Sequence, residues 1–217
     1  NFDSIFSTYT GQFITVTGVP SSGKSDFVDR MVVGYNLKYG WKTAFASTEK
    51  WNTVTEIIND NFYFIENERY DLDSVLNKGA ELVKRKGIKC LVIDPYNKVK
   101  MKGAEKMSIP DATMEYLTRI EAFAKKHDVL VIVVAHPTKM YKKEDGTMDE
   151  PTMYSIKGGG EWYDASYHGL LVHRDYNNKS VKVKVLKVKF QNLGENQAEA
   201  HFKWNHLSGD YMPLTTS

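Results

Sequence analysis

"QFITVTGVPSSGKS" (residues 12–25) decides how the rest of the chain is read. Its second half, GVPSSGKS (18–25), fits Gly-x-x-x-x-Gly-Lys-Ser. In such a loop backbone N–H groups cradle phosphates, the lysine reaches the β/γ-phosphates and the serine hydroxyl holds Mg²⁺. The first half is short and β-rich, and Phe27, Val28, Met31, Val32 and Tyr35 follow at helical spacing before Gly40. Strand, loop and helix in that order are the setting the motif requires. The candidate nucleotide contacts are therefore Gly18, Ser21, Ser22, Gly23, Lys24 and Ser25. Lys24 supplies a point charge, and the helix N-terminus adds exposed donors and a favourable dipole.

Outward from the loop, "KTAFAST" (42–48), "IKCLVID" (88–94) and "VLVIVVAH" (129–136) are apolar runs of strand length. Strands buried on both faces belong in a parallel sheet. Amphipathic helices fall between them. Leu72, Val75, Leu76, Leu82 and Val83 mark one that ends at Gly87; Ser108, Pro110 and Asp111 open another that carries Met114, Leu117, Ile120 and Ala124. A polar helix or two is expected between about Thr53 and Glu68. Residues 138–160 lack periodicity and hold Gly146, Pro151 and the triplet Gly158-Gly159-Gly160, which predicts a long loop. "GLLVHRD", "SVKVKVLKVKF" and "AEAHFKW" read as strands joined by turns at Asn177-Asn178 and around Gly194. The expected fold class is α/β: a mainly parallel central sheet flanked by helices, with antiparallel C-terminal strands, in a single domain over residues 1–217.

Composition agrees and removes other classes. Hydrophobic residues make up 41% of the 217 and charged residues 26%, as in ordinary globular chains, so a disordered or fibrous class is not indicated. A net charge of +2, from 29 basic and 27 acidic residues, is too small to imply a polyanion partner by itself. The single cysteine, Cys90, cannot make an internal disulfide, packs as a small hydrophobe and fits the cytoplasm. No apolar run approaches the roughly 18 residues that span a bilayer, and "NFDSIFSTYT" lacks a secretory pattern, so no membrane partner is expected. The chain opens on Asn1 rather than Met, and a piece of a longer protein is expected.

A Mg²⁺ ion on Ser25 needs an acidic partner as well, and Asp94 ends a buried strand where such a partner projects. Capping the next turn is its competing role. Pro95 follows, so no adjacent glutamate is at hand to activate water. Glu49, at the end of "KTAFASTE", reaches the edge of the phosphate loop if its strand lies beside the loop's strand. His136 ends the next parallel strand, where a γ-phosphate could be sensed. A solvated glutamate and a turn histidine need no role, and those readings stand beside the catalytic ones.

Two lysine patterns remain. In "SVKVKVLKVKF" Val181, Val183 and Val185 alternate with Lys182 and Lys184, but Val185-Leu186 shifts the phase, so Lys187 and Lys189 take the valines' parity. A bulge at 185–186 would restore the apolar face; a solvated edge strand guarded by lysines fits equally well. Elsewhere, "NKVKMKGAEK" (97–106) carries Lys98, Lys100, Lys102 and Lys106. "KMYKKEDG" carries Lys139, Lys142 and Lys143, and Lys157 adjoins Gly158. Basic loops of this kind suit a single-stranded phosphate backbone, and ordinary solvated faces are the alternative.

"GVPSSGKS", "ASTE", "LVIDPYN" and "VIVVAHPTK", in this order and spacing, resemble the successive motifs of RecA-like ring helicases: the DnaB and Twinkle type and the phage primase–helicases. The resemblance runs from about Gly11 to Tyr211 and is weaker in the last third. It implies a RecA-like phosphate-loop fold in which Lys24 and Ser25 bind phosphate and Mg²⁺, Glu49 is the catalytic base, Asp94 the acid on the Mg²⁺ side and His136 the sensor. Histidine followed by proline there is more like Twinkle. A Lys-x-Arg pair completes the neighbouring subunit's site in this family; here Lys187 and Lys189 match it, and Lys189 lacks arginine's bidentate fork. Arg174 is the alternative cation, placed by the resemblance nearer the nucleotide base. Lys100, Lys102, Lys139, Lys142, Lys143, Lys157 and Gly158 would line a channel for DNA.

The activity implied is that of a replicative helicase motor, hydrolysing ATP or another NTP or dNTP to move on single-stranded DNA. Its partners would be further copies in a hexameric ring of the full-length protein and a primase or polymerase, in the cytoplasm of a bacterial or phage-infected cell. A RecA-, RadA- or KaiC-like ATPase without unwinding activity is the second reading. A small-molecule kinase is the third, disfavoured by a chain with only five arginines.

Overall fold

The computed structural model describes residues 2–47, 60–66, 71–138, 149–205 and 211–214. β1 (Phe13–Thr17) is buried along its whole length and delivers the chain through the glycine loop into α1 (Lys24–Tyr39), which stops at Gly40. β2 (Lys42–Ser47) follows. Where a polar helix was expected, the described part of the segment forms a short strand, β3 (Phe62–Phe64). Its aromatic run pairs with β2, and the Phe64 ring stacks on Phe45 at 5.5 Å.

Local signals set the next two helices. α2 (Leu72–Lys86) begins where the Asp71 carboxylate accepts the Ser74 N–H at 3.0 Å, and it ends at Gly87. β4 (Ile88–Asp94) is almost wholly buried. α3 (Ile109–His127) is capped by Ser108, has proline in its first turn and leads into β5 (Leu130–Ala135). The expected long loop is interrupted. A 3-10 turn forms at Met153–Ser155, and the last glycine of the triplet opens a short helix, α4 (Gly160–Ala165). β6 (His168–Asp175), β7 (Ser180–Val188), β8 (Glu199–Trp204) and β9 (Tyr211–Pro213) complete the order.

The nine strands among the described residues form one sheet in the order β3-β2-β4-β5-β1-β6-β7-β8-β9. Pairing is parallel from β3 to β6 and antiparallel from β6 to β9. Alternating side chains feed two cores. Phe13, Leu91, Val131 and Val133 face α2, α3 and α4; Ile14, Val16, Val92 and Ile132 face α1. Each such side chain contributes about 1.5–3 kcal/mol when fully buried, which ties the helices to both faces. The carboxyl ends of β1, β2, β4 and β5 therefore meet at one edge.

The bulge expected in β7 is present. Gly169 pairs with Lys187 and Leu170 with Val185, leaving Leu186 as the extra residue. Val181, Val183, Val185 and Val188 all pack on the α1 side, while Leu186 packs on the opposite face. One inserted residue thus returns the valines to one core and turns Lys187 away from it.

Candidate functional site

The glycine loop closes tightly on its surroundings. A Cβ on Gly18 would lie 2.2 Å from the Val172 carbonyl oxygen and 2.6 Å from Ser22 Oγ. Gly23, at φ +85°, would drive one to 2.4 Å from Arg174 Nη2. Ser21 between them also has positive φ, at 61°. The loop therefore holds its amides in a cramped arc at the start of α1 that side chains would fill. Lys24 is buried, and its Nζ donates to the carbonyls of Gly18 and Val19, 2.8 Å each. The ammonium is thus folded over the loop it would serve, and Ser25 follows in the first turn of α1.

Strand ends supply the remaining groups. Thr17 pairs with Ala135, which brings His136 next to the start of the loop, on the strand adjacent to β1. Asp94 ends β4, one strand further out, and is 4% exposed. Ser47, the last described residue of β2, pairs with Asp94. Glu49 lies outside the described residues. The condition attached to it is not met: β2 is separated from β1 by β4 and β5. Its strand end meets Asp94 at the same edge, not the loop directly.

The hydroxyl of Ser25 and the carboxylate of Asp94 are hard oxygen donors. They suit Mg²⁺, which commonly takes one or two carboxylates and completes its shell with phosphate oxygens and water. Among the described residues no cluster of three or more His, Cys, Asp or Glu offers an all-protein site instead. The donor set fits a metal that arrives with a phosphate.

Arg174 is the residue whose placement changes most. The end of β6 carries it over the start of α1, where Nη2 meets Asp26 Oδ2 at 3.0 Å and Tyr211 Oη at 3.3 Å. The guanidinium stacks 3.8 Å above the Trp204 ring. Its side chain is only 7% exposed. Burial works against its charge, but Asp26 and Tyr211 outweigh that and raise its pKa. Burial also pushes Tyr211 up to about 12. Arg174 is held against the loop of its own chain, which removes it as a cation for a neighbour. Asp26, Tyr176, Trp204 and Tyr211 went unnoticed in the sequence; Tyr176 Oη donates to the Ser21 carbonyl inside the loop.

Lys187 and Lys189 lie at the other edge of the sheet. β6 runs parallel to β1, so Arg174 sits at the loop edge, while Lys187 and Val188 pair with Gly169 and His168 at the opposite end. The six steps along the strand from His168 to Arg174 span about 20 Å. Lys187 Nζ donates to the carbonyls of Tyr163 and Asp164 and lies 4.7 Å above the Tyr163 ring. Burial, then Lys189, lowers its pKa. Lys189 is exposed and sits 4.2 Å above the Tyr167 ring.

The lysine loops divide. Residues 97–106 are not an open loop: Val99 and Met101 are buried, and the Lys100 carbonyl accepts the Leu72 N–H at 2.8 Å. The side chains of Lys98, Lys100, Lys102 and Lys106 remain exposed. Lys139, Lys142 and Lys143 lie outside the described residues. Lys157 is exposed, and its carbonyl is held by Trp162 Nε1 at 3.0 Å. A Cβ on Gly158 would strike Thr113 at 2.4 Å, so contact with α3 already accounts for this glycine.

No protein-family model matches the chain. In sequence it is similar to the "Twinkle homolog protein, chloroplastic/mitochondrial" of Arabidopsis thaliana, with 27% identity over an alignment of 259 positions. That alignment takes in 99% of this chain and 36% of the relative, so the chain spans about a third of the relative's length. In structure it is similar to the "ATPase Domain of G40P", with a TM-score of 0.77 and 14% identity, covering 95% of this chain and 86% of the other. The fold is the RecA-like α/β phosphate-loop fold, with a mainly parallel sheet and antiparallel C-terminal strands. Among the described residues no helix is long and apolar enough to cross a membrane.

Proposed function

We propose that this chain, which resembles the DnaB and Twinkle ring helicases in sequence and fold, is a motor domain that hydrolyses ATP or another NTP between copies and moves on single-stranded DNA in replication. Residues 1–217 would form one domain of a longer protein that assembles as a ring, with hexamers as the expected form and a primase or polymerase as a further partner. One observation carries the reading: the cramped loop with Lys24 and Arg174 lies at one edge of the sheet, and Lys187 with Lys189 at the other. A single copy cannot bring both to one phosphate, whereas a head-to-tail neighbour can.

In this scheme Mg²⁺ would be held by Ser25 and Asp94 and would polarise the phosphates for attack. Lys24 leaves the Gly18 and Val19 carbonyls for the phosphates, and the amides of Gly18, Ser21, Ser22 and Gly23 orient them. Arg174 holds the nucleotide on its own chain, Glu49 deprotonates the attacking water, and His136 responds to the terminal phosphate. Lys187 and Lys189 of the next copy neutralise charge that builds up in transfer. The exposed lysines at 98–106 and 157, with Lys139, Lys142 and Lys143, contact the DNA backbone.

The test is the ATP hydrolysis rate against single-stranded DNA concentration. Glu49→Gln and Lys189→Ala should each lower the stimulated rate by at least about tenfold, the scale of lost base or charge stabilisation. Mixing Lys24→Ala with Lys189→Ala should recover part of the activity, because some interfaces then hold an intact loop facing an intact lysine. Recovery of none would sink the shared-site arrangement. Hydrolysis with no response to DNA would point to a kinase or signalling ATPase instead.

A further inference from the structure

The segment from Ser155 to Gly159 is gripped from two strand ends, each beside a residue assigned to the nucleotide. From the end of β5, two residues past His136, Thr138 donates its N–H and its hydroxyl to the Ser155 carbonyl at 2.7 and 2.9 Å. From the end of β4, two residues past Asp94, Tyr96 donates its hydroxyl to the Lys157 carbonyl at 3.3 Å. Trp162 Nε1 donates to that same carbonyl at 3.0 Å. The Tyr96 and Trp162 rings meet edge to face, their centroids 4.7 Å apart, and Tyr116 of α3 closes on Tyr96 at 5.8 Å.

There is little slack in this second arm. Pro95 is buried and its ring fixes its own φ, so Asp94 and Tyr96 are joined by a stiff link. Trp162 is wholly buried and cannot follow a moving carbonyl freely. Beyond the carbonyl, Gly158 is pressed against Thr113, and Gly159 donates its N–H to Ile156 at 2.8 Å. A displacement of Asp94 is thus handed to the backbone at 157–159, beside the exposed Lys157 side chain.

We propose that Tyr96 and Trp162 are positioning residues that couple the metal-side carboxylate Asp94 to the DNA-facing segment at 157–159, by sharing the Lys157 carbonyl. This rests on the motor reading above. Neither residue touches nucleotide or DNA in the proposal, so each should alter the coupling of the two ligands more than the affinity for either alone.

The experiment measures the affinity of residues 1–217 for a fluorescent oligothymidylate with and without a non-hydrolysable ATP analogue and Mg²⁺. It compares the wild type with Tyr96→Phe, Trp162→Phe and Lys157→Ala. Allosteric coupling commonly amounts to about 5–150-fold, and in Tyr96→Phe and Trp162→Phe the ratio should fall to within about twofold of unity while nucleotide affinity without DNA changes less than about twofold. Lys157→Ala should weaken DNA binding equally in both states and keep the ratio. Tyr96→Phe removes one hydroxyl and keeps the ring packing, so wild-type coupling in that variant overturns the inference and leaves the motor reading standing. A wild type that binds both ligands with no coupling overturns the motor reading, and this inference with it.

Discussion

Arg174 shows how much one side chain can carry. Its stack on Trp204 uses a planar cation, which lysine cannot supply, while one nitrogen of the same group pairs with Asp26. Arg174→Lys should weaken nucleotide binding about tenfold, the equivalent of one lost stacked cation contact of about 1–2 kcal/mol, in a fluorescent-nucleotide titration. Unchanged affinity would remove Arg174 from the site. His168 makes a different prediction. It is fully buried, with Nε2 2.9 Å from Gln12 Oε1, and burial followed by the charge of Lys187 lowers its pKa to about 4. The unfolded chain, with a histidine pKa near 6.5, then binds more protons than the folded one between those values. Stability should be full above about pH 6.5 and should fall as the pH drops toward 4, by up to about 3 kcal/mol. Urea midpoints against pH, compared with His168→Gln, check it: the variant should lose that slope.

Among the elements, β7 is the most informative, because its bulge sorts lysines from valines without a turn. Deleting Leu186 should leave Lys187, Val188 and Lys189 on their present faces and cost about 2 kcal/mol for the lost buried side chain, read from the unfolding midpoint. A variant that does not fold would show that the bulge geometry itself is required. The bulge was one of two readings that the phase slip between Val185 and Leu186 allowed, and the pairing of β7 with β6 decides between them. β1, β2, β4 and β5 were legible, since long apolar runs bounded by glycine or polar residues leave little choice. β3 and β9 were not, since three residues are too few to establish a period, and pairing with β2 or β8 is decided by tertiary context. The same limit hid the cage around Arg174. Asp26, Trp204 and Tyr211 are brought to it from α1, β8 and β9, and no local spacing in the sequence records that meeting.

For the whole molecule, the parallel half of the sheet fixes which edge carries the loop, and the antiparallel return of β7 carries Lys187 and Lys189 to the other. Two copies related by a simple two-fold would present like edges to each other, whereas a head-to-tail contact joins unlike edges and closes into a ring if the rotation allows. Hydrolysis per chain should therefore rise with protein concentration and level off as assembly completes, in step with the mass measured by light scattering. A rate per chain independent of concentration while the protein is monomeric would contradict the shared site. The same polarity bears on inheritance. In the proposed ring, a variant that loses Lys24 but keeps its outer surface would have a dead site of its own and would still lend Lys187 and Lys189 to its neighbour. In a mixed population hydrolysis would then fall in step with the fraction of defective chains, so the phenotype expected of such an allele follows its dose, and wild-type chains beside it keep working.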